Sequence, residues 1–192
     1  MANANTLRMK AIRLYPGYHG YDLGAMVGTP DFDAVMHVAA ECGLPVCVAL
    51  LVEDPRQHHF IVQPLPVAPG ALIQMIRTYP SVNFVLERVS LGVFKAVAAG
   101  ADTAANWFVE TSSRFLMVRP QDCPDYPHCG LPDLIEVLGS DRVLFGTDLP
   151  LQYPHVAMMK IAALGLDAET TAKVMGLNAA RLLGLEPPRK DP

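Results

Sequence analysis

The ten residues Asp141 to Pro150, DRVLFGTDLP, constrain the fold more than any other stretch. Val143 to Gly146 carry no polar side chain, which suits a strand buried on both faces, as in a parallel sheet. Pro150 lacks the N–H that a ladder needs and turns the chain outwards. Thr147 and Asp148 therefore stand where the strand leaves the sheet, the edge at which parallel α/β folds bind ligands. Asp148 is the first catalytic candidate. An aspartate at a strand end also serves as a turn or cap residue for nearby N–H groups, and the local sequence supports both roles.

Similar units precede this one. Lys10 to Tyr15 reads as a strand stopped by Pro16-Gly17, and Tyr18-His19-Gly20-Tyr21 follows as a glycine-flanked loop at its C-terminal end. His19 is a candidate ligand there, because imidazole is the commonest side chain for metal binding or proton transfer, and Tyr18 is a candidate substrate contact. Asp31 to Cys42 has a helical apolar period, and Val46 to Val52 reads as a continuous buried strand. The polar loop Glu53 to His59 holds Arg56, His58 and His59, the densest group of functional side chains in the chain. Solvated connectors look the same, and adjacent histidines point in different directions in extended chain, so one of the two at most faces a ligand.

Leu72 to Tyr79 predicts a helix, Asn83 to Leu86 a strand ending in Glu87-Arg88, Val93 to Ala99 a helix, and Asn106 to Ser112 a further strand. Alternation puts Glu87 on one face with Asn83 and Val85 and sends Arg88 to the other; a structural ion pair is the competing role for these two. Glu110 and Ser112 share a face near the C-terminal end of their strand, and Trp107 on the opposite face packs under a helix. Arg119 to Pro132 is the longest irregular connection, a candidate lid. Leu134 to Leu138, His155 to Leu164, Ala168 to Met175 and Asn178 to Leu183 predict helices, with Gly165 and Gly176 as stops.

Composition narrows the class. In 192 residues, 51% of them hydrophobic, there is enough apolar material for one domain spanning 1–192, with 186–192 as a frayed tail. The net charge of −4 and scattered cations argue against a nucleic-acid partner and for a small-molecule substrate. The polar N-terminus lacks the apolar core of a signal peptide, and the run Leu44 to Val52 is about half a bilayer span, so the sequence predicts a cytoplasmic protein with no membrane partner. Cys42, Cys47, Cys123 and Cys129 match neither a disulfide scaffold nor a paired CxxC zinc site, which suits free thiols in a reducing compartment. Cys123, His128 and Cys129 are the one cluster of soft ligands that zinc could use with a fourth from elsewhere.

LFGTDLP, the downstream GLNAARLLGL at 176–185, and RLYPGYHGY at 13–21 together resemble the amidohydrolase-related family. The resemblance runs from Ala11 to Leu185 and implies a metal-dependent hydrolase or non-oxidative decarboxylase of TIM-barrel fold. It implies that Asp148 matches the last-strand aspartate that binds the metal or handles the attacking water, and that His19 lines the pocket. The family's His-x-His pair occurs nowhere in this sequence, Ala49, Leu50 and Leu51 stand where a histidine is common, and Glu87 stands where another is usual. An altered site would draw on His19, His58 or His59, Glu87 and Asp148, with a divalent metal, zinc first. Arg56 or Arg88 would hold a substrate carboxylate bidentately, and Glu110 would line the mouth.

Five strands alternating with helices predict an α/β, TIM-barrel-like (β/α) repeat of parallel strands. A closed barrel needs eight strands and ~250 residues, so a partial barrel, short of its N-terminal strands, is expected. Three outcomes follow: an amidohydrolase-type enzyme on a small carbonyl compound, a catalytically degenerate scaffold, or one half of a two-chain enzyme. The last two predict a homo-oligomer or a missing N-terminal partner segment.

Overall fold

The computed structural model describes residues 9–50, 66–112, 130–150 and 153–185. The chain divides into two compact units, Met1–Val109 and Glu110–Pro192, with the boundary inside a strand.

In the first unit, parallel strands β1 (Ile12–Leu14), β2 (Val46–Ala49), β3 (Phe84–Glu87) and β4 (Trp107–Glu110) pair in chain order. Helices α1 (Pro16–His19), α2 (Leu23–Met26) and α3 (Pro30–Glu41) connect β1 to β2. Helix α4 (Pro69–Thr78) precedes β3, and α5 (Leu91–Gly100) joins β3 to β4. Register aligns Val46, Phe84 and Trp107 in one row and Val48, Leu86 and Val109 in another, and all six are 0–1% exposed. This outer face lies under helices: the Phe94 ring of α5 sits 6.5 Å from the indole of Trp107, whose Nε1–H donates to Ala101 O. Alternation assigns Arg13, Cys47, Val85 and Phe108 to the opposite face, where only Val85 is buried. In a closed barrel this is the interior face.

In the second unit Thr111, just past β4, donates its N–H to Leu144 O at 2.9 Å. Leu144 belongs to β5 (Val143–Leu144), and the sheet order is β1-β2-β3-β4-β5. Helices α6 (Leu131–Leu138), α7 (Pro154–Ala163), α8 (Ala168–Ala172) and α9 (Asn178–Leu182) complete this unit, with a π turn over Lys173–Leu177 joining the last two. The α/β repeat of five strands expected from the sequence is present.

Several boundaries move, for local reasons. The stretch after β1, expected as a loop, is the one-turn helix α1: Pro16 fits the first helical position, and Gly20 closes the turn with the left-handed φ of 68° that a glycine adopts without strain. Helices α4 and α6 start at Pro69 and Leu131, three residues ahead of the expected starts, because Pro69 and Pro132 suit a helix's first turn; Ala71 and Leu131 in those turns are themselves buried. Pro132 thus belongs to α6 rather than to the expected irregular connection, whose other residues up to Cys129 lie outside the described set, as do Leu51 and Val52 of the expected second strand. Arg88 does not continue the alternation of β3, because its φ of 56° is left-handed.

One polar clamp in the first unit is measurable. Tyr79 Oη donates to Asp33 Oδ1 at 2.5 Å and accepts from Gly28 N–H at 2.9 Å, tying the end of α4 to the first turn of α3. Removing the hydroxyl in Tyr79→Phe should cost about 1 kcal/mol in urea denaturation. Desolvation and the bond to Asp33 hold the phenol above its ordinary pKa of 10.0. The native state therefore favours the neutral form: the contribution is whole below the unfolded pKa and fades as pH rises through the folded one. Wild type should lose stability more steeply above about pH 10 than Tyr79→Phe does.

Candidate functional site

The residues after β1 form an aromatic cluster. Tyr15 and Tyr18 meet edge to face at 6.3 Å, and the His19 ring lies 5.7 Å from Tyr15 and 6.4 Å from Tyr21. Tyr18 is 42% exposed, His19 is exposed, and half-burial pushes the Tyr21 phenol up from its ordinary pKa. Tyr18 and His19 are thus neighbours on α1, at the C-terminal end of β1 where the sequence placed them.

Glu87, the last residue of β3, is engaged. Arg13 reaches across from β1 and gives both Nε and Nη2 to Glu87 Oε2, at 2.7 and 2.5 Å. The Arg13 guanidinium carbon also lies 4.9 Å from the Tyr15 ring centroid. Burial works to lower the pKa of Arg13, but the Glu87 carboxylate outweighs it and holds the guanidinium above its ordinary value. Glu87 thus forms an ion pair with Arg13, a partner on another strand. Arg88, which follows, adopts a left-handed backbone that costs a bulky side chain of order 1 kcal/mol and clusters at functional sites.

In the second unit Glu110 is buried, and its carboxylate accepts from Ser112 N–H at 2.9 Å and from the Ser112 hydroxyl. It lies directly against Gly146, where an added Cβ would overlap Oε2. Thr111 Oγ1 accepts from Gly146 N–H at 3.1 Å, so the Glu110–Ser112 segment and the end of the β5 stretch are pinned together. Asp148 follows, half-buried, with φ 56°. Asp is one of the few side chains that tolerates this conformation. Arg88 and Asp148 are the two non-glycine residues with positive φ among the described residues, and each comes shortly after a strand's C-terminal end.

Arg56, His58 and His59, and the cluster Cys123, His128 and Cys129, lie outside the described residues. Among the described residues no three His, Cys, Asp or Glu side chains gather in a way that could hold a metal ion. Glu87 is already neutralised by a guanidinium, and Glu110 accepts from both donors of Ser112. This donor set does not fit a divalent metal by itself. No described helix is long and apolar enough to cross a membrane.

Sequence reasoning passed over Arg13. Its signal was a lone cation between Ile12 and Leu14, at the alternate position where a strand presents a side chain to the other face.

These parallel βα units, with aromatic and charged residues at their C-terminal ends, define an α/β enzyme-like barrel segment. The amidohydrolase family model matches residues 1–185, and the chain belongs to that family. Solved structures agree on the fold. A TIM-barrel protein from Bordetella bronchiseptica superposes with a TM-score of 0.67 at 17% identity, over 96% of this chain and 60% of that one. A 5-carboxyvanillate decarboxylase from Sphingomonas paucimobilis gives 0.63 at 19% identity, over 95% and 61%. Another, from Novosphingobium aromaticivorans with bound manganese, gives 0.66 at 16% identity, over 95% and 59%. The chain thus spans less than two thirds of the length of these relatives. No curated protein matches the sequence.

Proposed function

We propose that the chain carries part of an amidohydrolase-type active site acting on a small carbonyl-containing molecule, by hydrolysis or by non-oxidative decarboxylation, with Asp148 as the proton-handling carboxylate. The single observation behind this is the place of Asp148: half-buried, in a left-handed backbone, four residues past β5 in a chain that matches the amidohydrolase family over residues 1–185. In hydrolysis Asp148 would take the proton of the attacking water. In decarboxylation its acid form would give a proton to the carbon that bears the carboxylate; the C–C bond then breaks, its electron pair stays with the ring, and CO2 leaves. A divalent metal, which the family resemblance implies with zinc expected first and which is manganese in the Novosphingobium relative, needs donors beyond the described ones. Glu53, Asp54, His58 and His59 are the nearest in sequence to β2.

Asp148→Asn keeps the backbone preference and the shape while removing the proton-transfer group. It should lower CO2 release from 2,6-dihydroxybenzoate or 5-carboxyvanillate, assayed with added manganese, by about 100-fold or more. Undiminished turnover in Asp148→Asn sinks the assignment.

A second reading, a scaffold that keeps the barrel core without its chemistry, draws support from the Arg13–Glu87 pair, which spends a carboxylate at a strand end on a cation of the same chain. It predicts less than about 0.1 manganese or zinc per chain by elemental mass spectrometry after purification without chelator, whereas the enzyme reading predicts about one.

A further inference from the structure

The pair that disagrees with a metal agrees with an anion. We propose that Arg13, in the middle of β1, is a carboxylate anchor, its guanidinium held in position by Glu87 and Tyr15. This rests on the functional assignment above for the class of ligand, a small carboxylate, and its geometry lies wholly within the first unit.

The guanidinium has two edges that can grip a carboxylate, and Glu87 occupies one of them. Nε and Nη2 both donate to the single oxygen Oε2. The other edge, Nη1 with the remaining N–H of Nη2, has no hydrogen-bond partner among the described residues, and the side chain is 50% exposed. That edge matches a carboxylate bidentately, two parallel N–H···O bonds in one plane. Orientation is already set: Glu87, only 14% exposed, fixes one edge, and the Tyr15 ring 4.9 Å away flanks the guanidinium. An arginine restrained at two points loses less freedom on binding than a surface lysine or arginine would. The Tyr15 ring, with Tyr18 edge to face against it at 6.3 Å, offers aromatic surface to the rest of a small molecule.

The same geometry makes Glu87 a tuning group. Its negative charge opposes an arriving anion, while its oxygen aims the guanidinium. Glu87→Gln keeps an acceptor for Nε and removes the charge, so anion affinity should rise. A metal site predicts the reverse signs: Glu87→Gln would lower metal uptake, and Arg13→Gln would raise it by releasing the carboxylate.

The test is a titration of the full chain with benzoate, read by NMR on the arginine Nε–H signals, alongside a manganese titration. The expected dissociation constant for benzoate rises about tenfold or more in Arg13→Gln, rises less in Arg13→Lys, which keeps the charge but not the fork, and falls several-fold in Glu87→Gln. Arg77→Gln, an exposed arginine near the end of α4, should bind as wild type. Arg13→Lys and Glu87→Gln keep the proposal testable if Arg13→Gln fails to fold. Three results overturn it: no benzoate-dependent shift of the Arg13 signal, wild-type affinity in both Arg13 variants, or tighter manganese binding in Arg13→Gln. Because the readout is binding, it separates from the assignment of Asp148. Arg13-dependent binding with a fully active Asp148→Asn overturns only the assignment, and Arg13-independent binding with a dead Asp148→Asn overturns only the anchor.

Discussion

Replacing Asn178 with leucine should lower the stability of the chain by about 3 kcal/mol, and its melting temperature by about 9 °C. Asn178 is 1% exposed, and its Nδ2 gives one hydrogen bond to Ser140 O at 2.7 Å and another to Val143 O at 2.8 Å. Ser140 opens the turn that feeds β5, and Val143 is the first residue of β5 itself. Leucine has the same number and branching of side-chain heavy atoms, though bulkier methyl groups, and neither donor, so two carbonyls lose their partner at roughly 1–3 kcal/mol each. Arg181 reinforces the same turn: its Nη2 donates to Asp141 O at 3.0 Å and to Asn178 Oδ1 at 3.2 Å, and it pairs with the Asp141 carboxylate at 3.4 Å. That pair is exposed, so Arg181→Ala should cost far less, below about 1 kcal/mol. Equal melting temperatures for wild type and Asn178→Leu would mean that the turn is held by backbone contacts alone. This gives the GLNAARLLGL stretch a physical reason: it clamps the entry of the strand whose exit carries Asp148.

Gly146→Ala should cost about 2–3 kcal/mol, a large effect for one methyl group. The new Cβ would overlap the Glu110 carboxylate and approach Ser112 N to 3.2 Å. A flexible carboxylate would ordinarily swing aside at little cost. Here it is buried and accepts from both the backbone and the hydroxyl of Ser112, so moving it breaks two hydrogen bonds. Glu110→Ala removes the obstacle, and the double variant should therefore lose clearly less than the sum of the two single changes. Strict additivity in chemical denaturation would show that the two residues do not press on each other.

Much of the architecture was legible because it is encoded locally. Five apolar runs with period-two or continuous patterning became the five strands, and the helices between them followed from apolar periodicity and from prolines, glycines and caps at their ends. The burial of Trp107 under α5 followed from alternation alone. Misjudged were the ends, where prolines in the first turn open α4 and α6 ahead of the expected starts, and the turn after β1, where Pro16 nucleates a helix in a stretch that reads as loop. Among the candidate residues, the positions of Tyr18, His19, Glu87 and Asp148 at or after strand ends were readable, since each follows from where a strand stops. Their partners were not.

The sequence by itself determined the alternating strand and helix units, the family, and the strand ends at which the candidate residues stand, because periodicity, capping and motif spacing act within a few residues. Only the tertiary structure decided who touches whom: that Glu87 is held by Arg13, 74 positions away, that Asn178 serves Ser140 and Val143, and that Gly146 must stay bare for Glu110. The physical reason is that hydrogen bonds and steric contacts depend on register and distances of a few ångströms between strands, which no local pattern records.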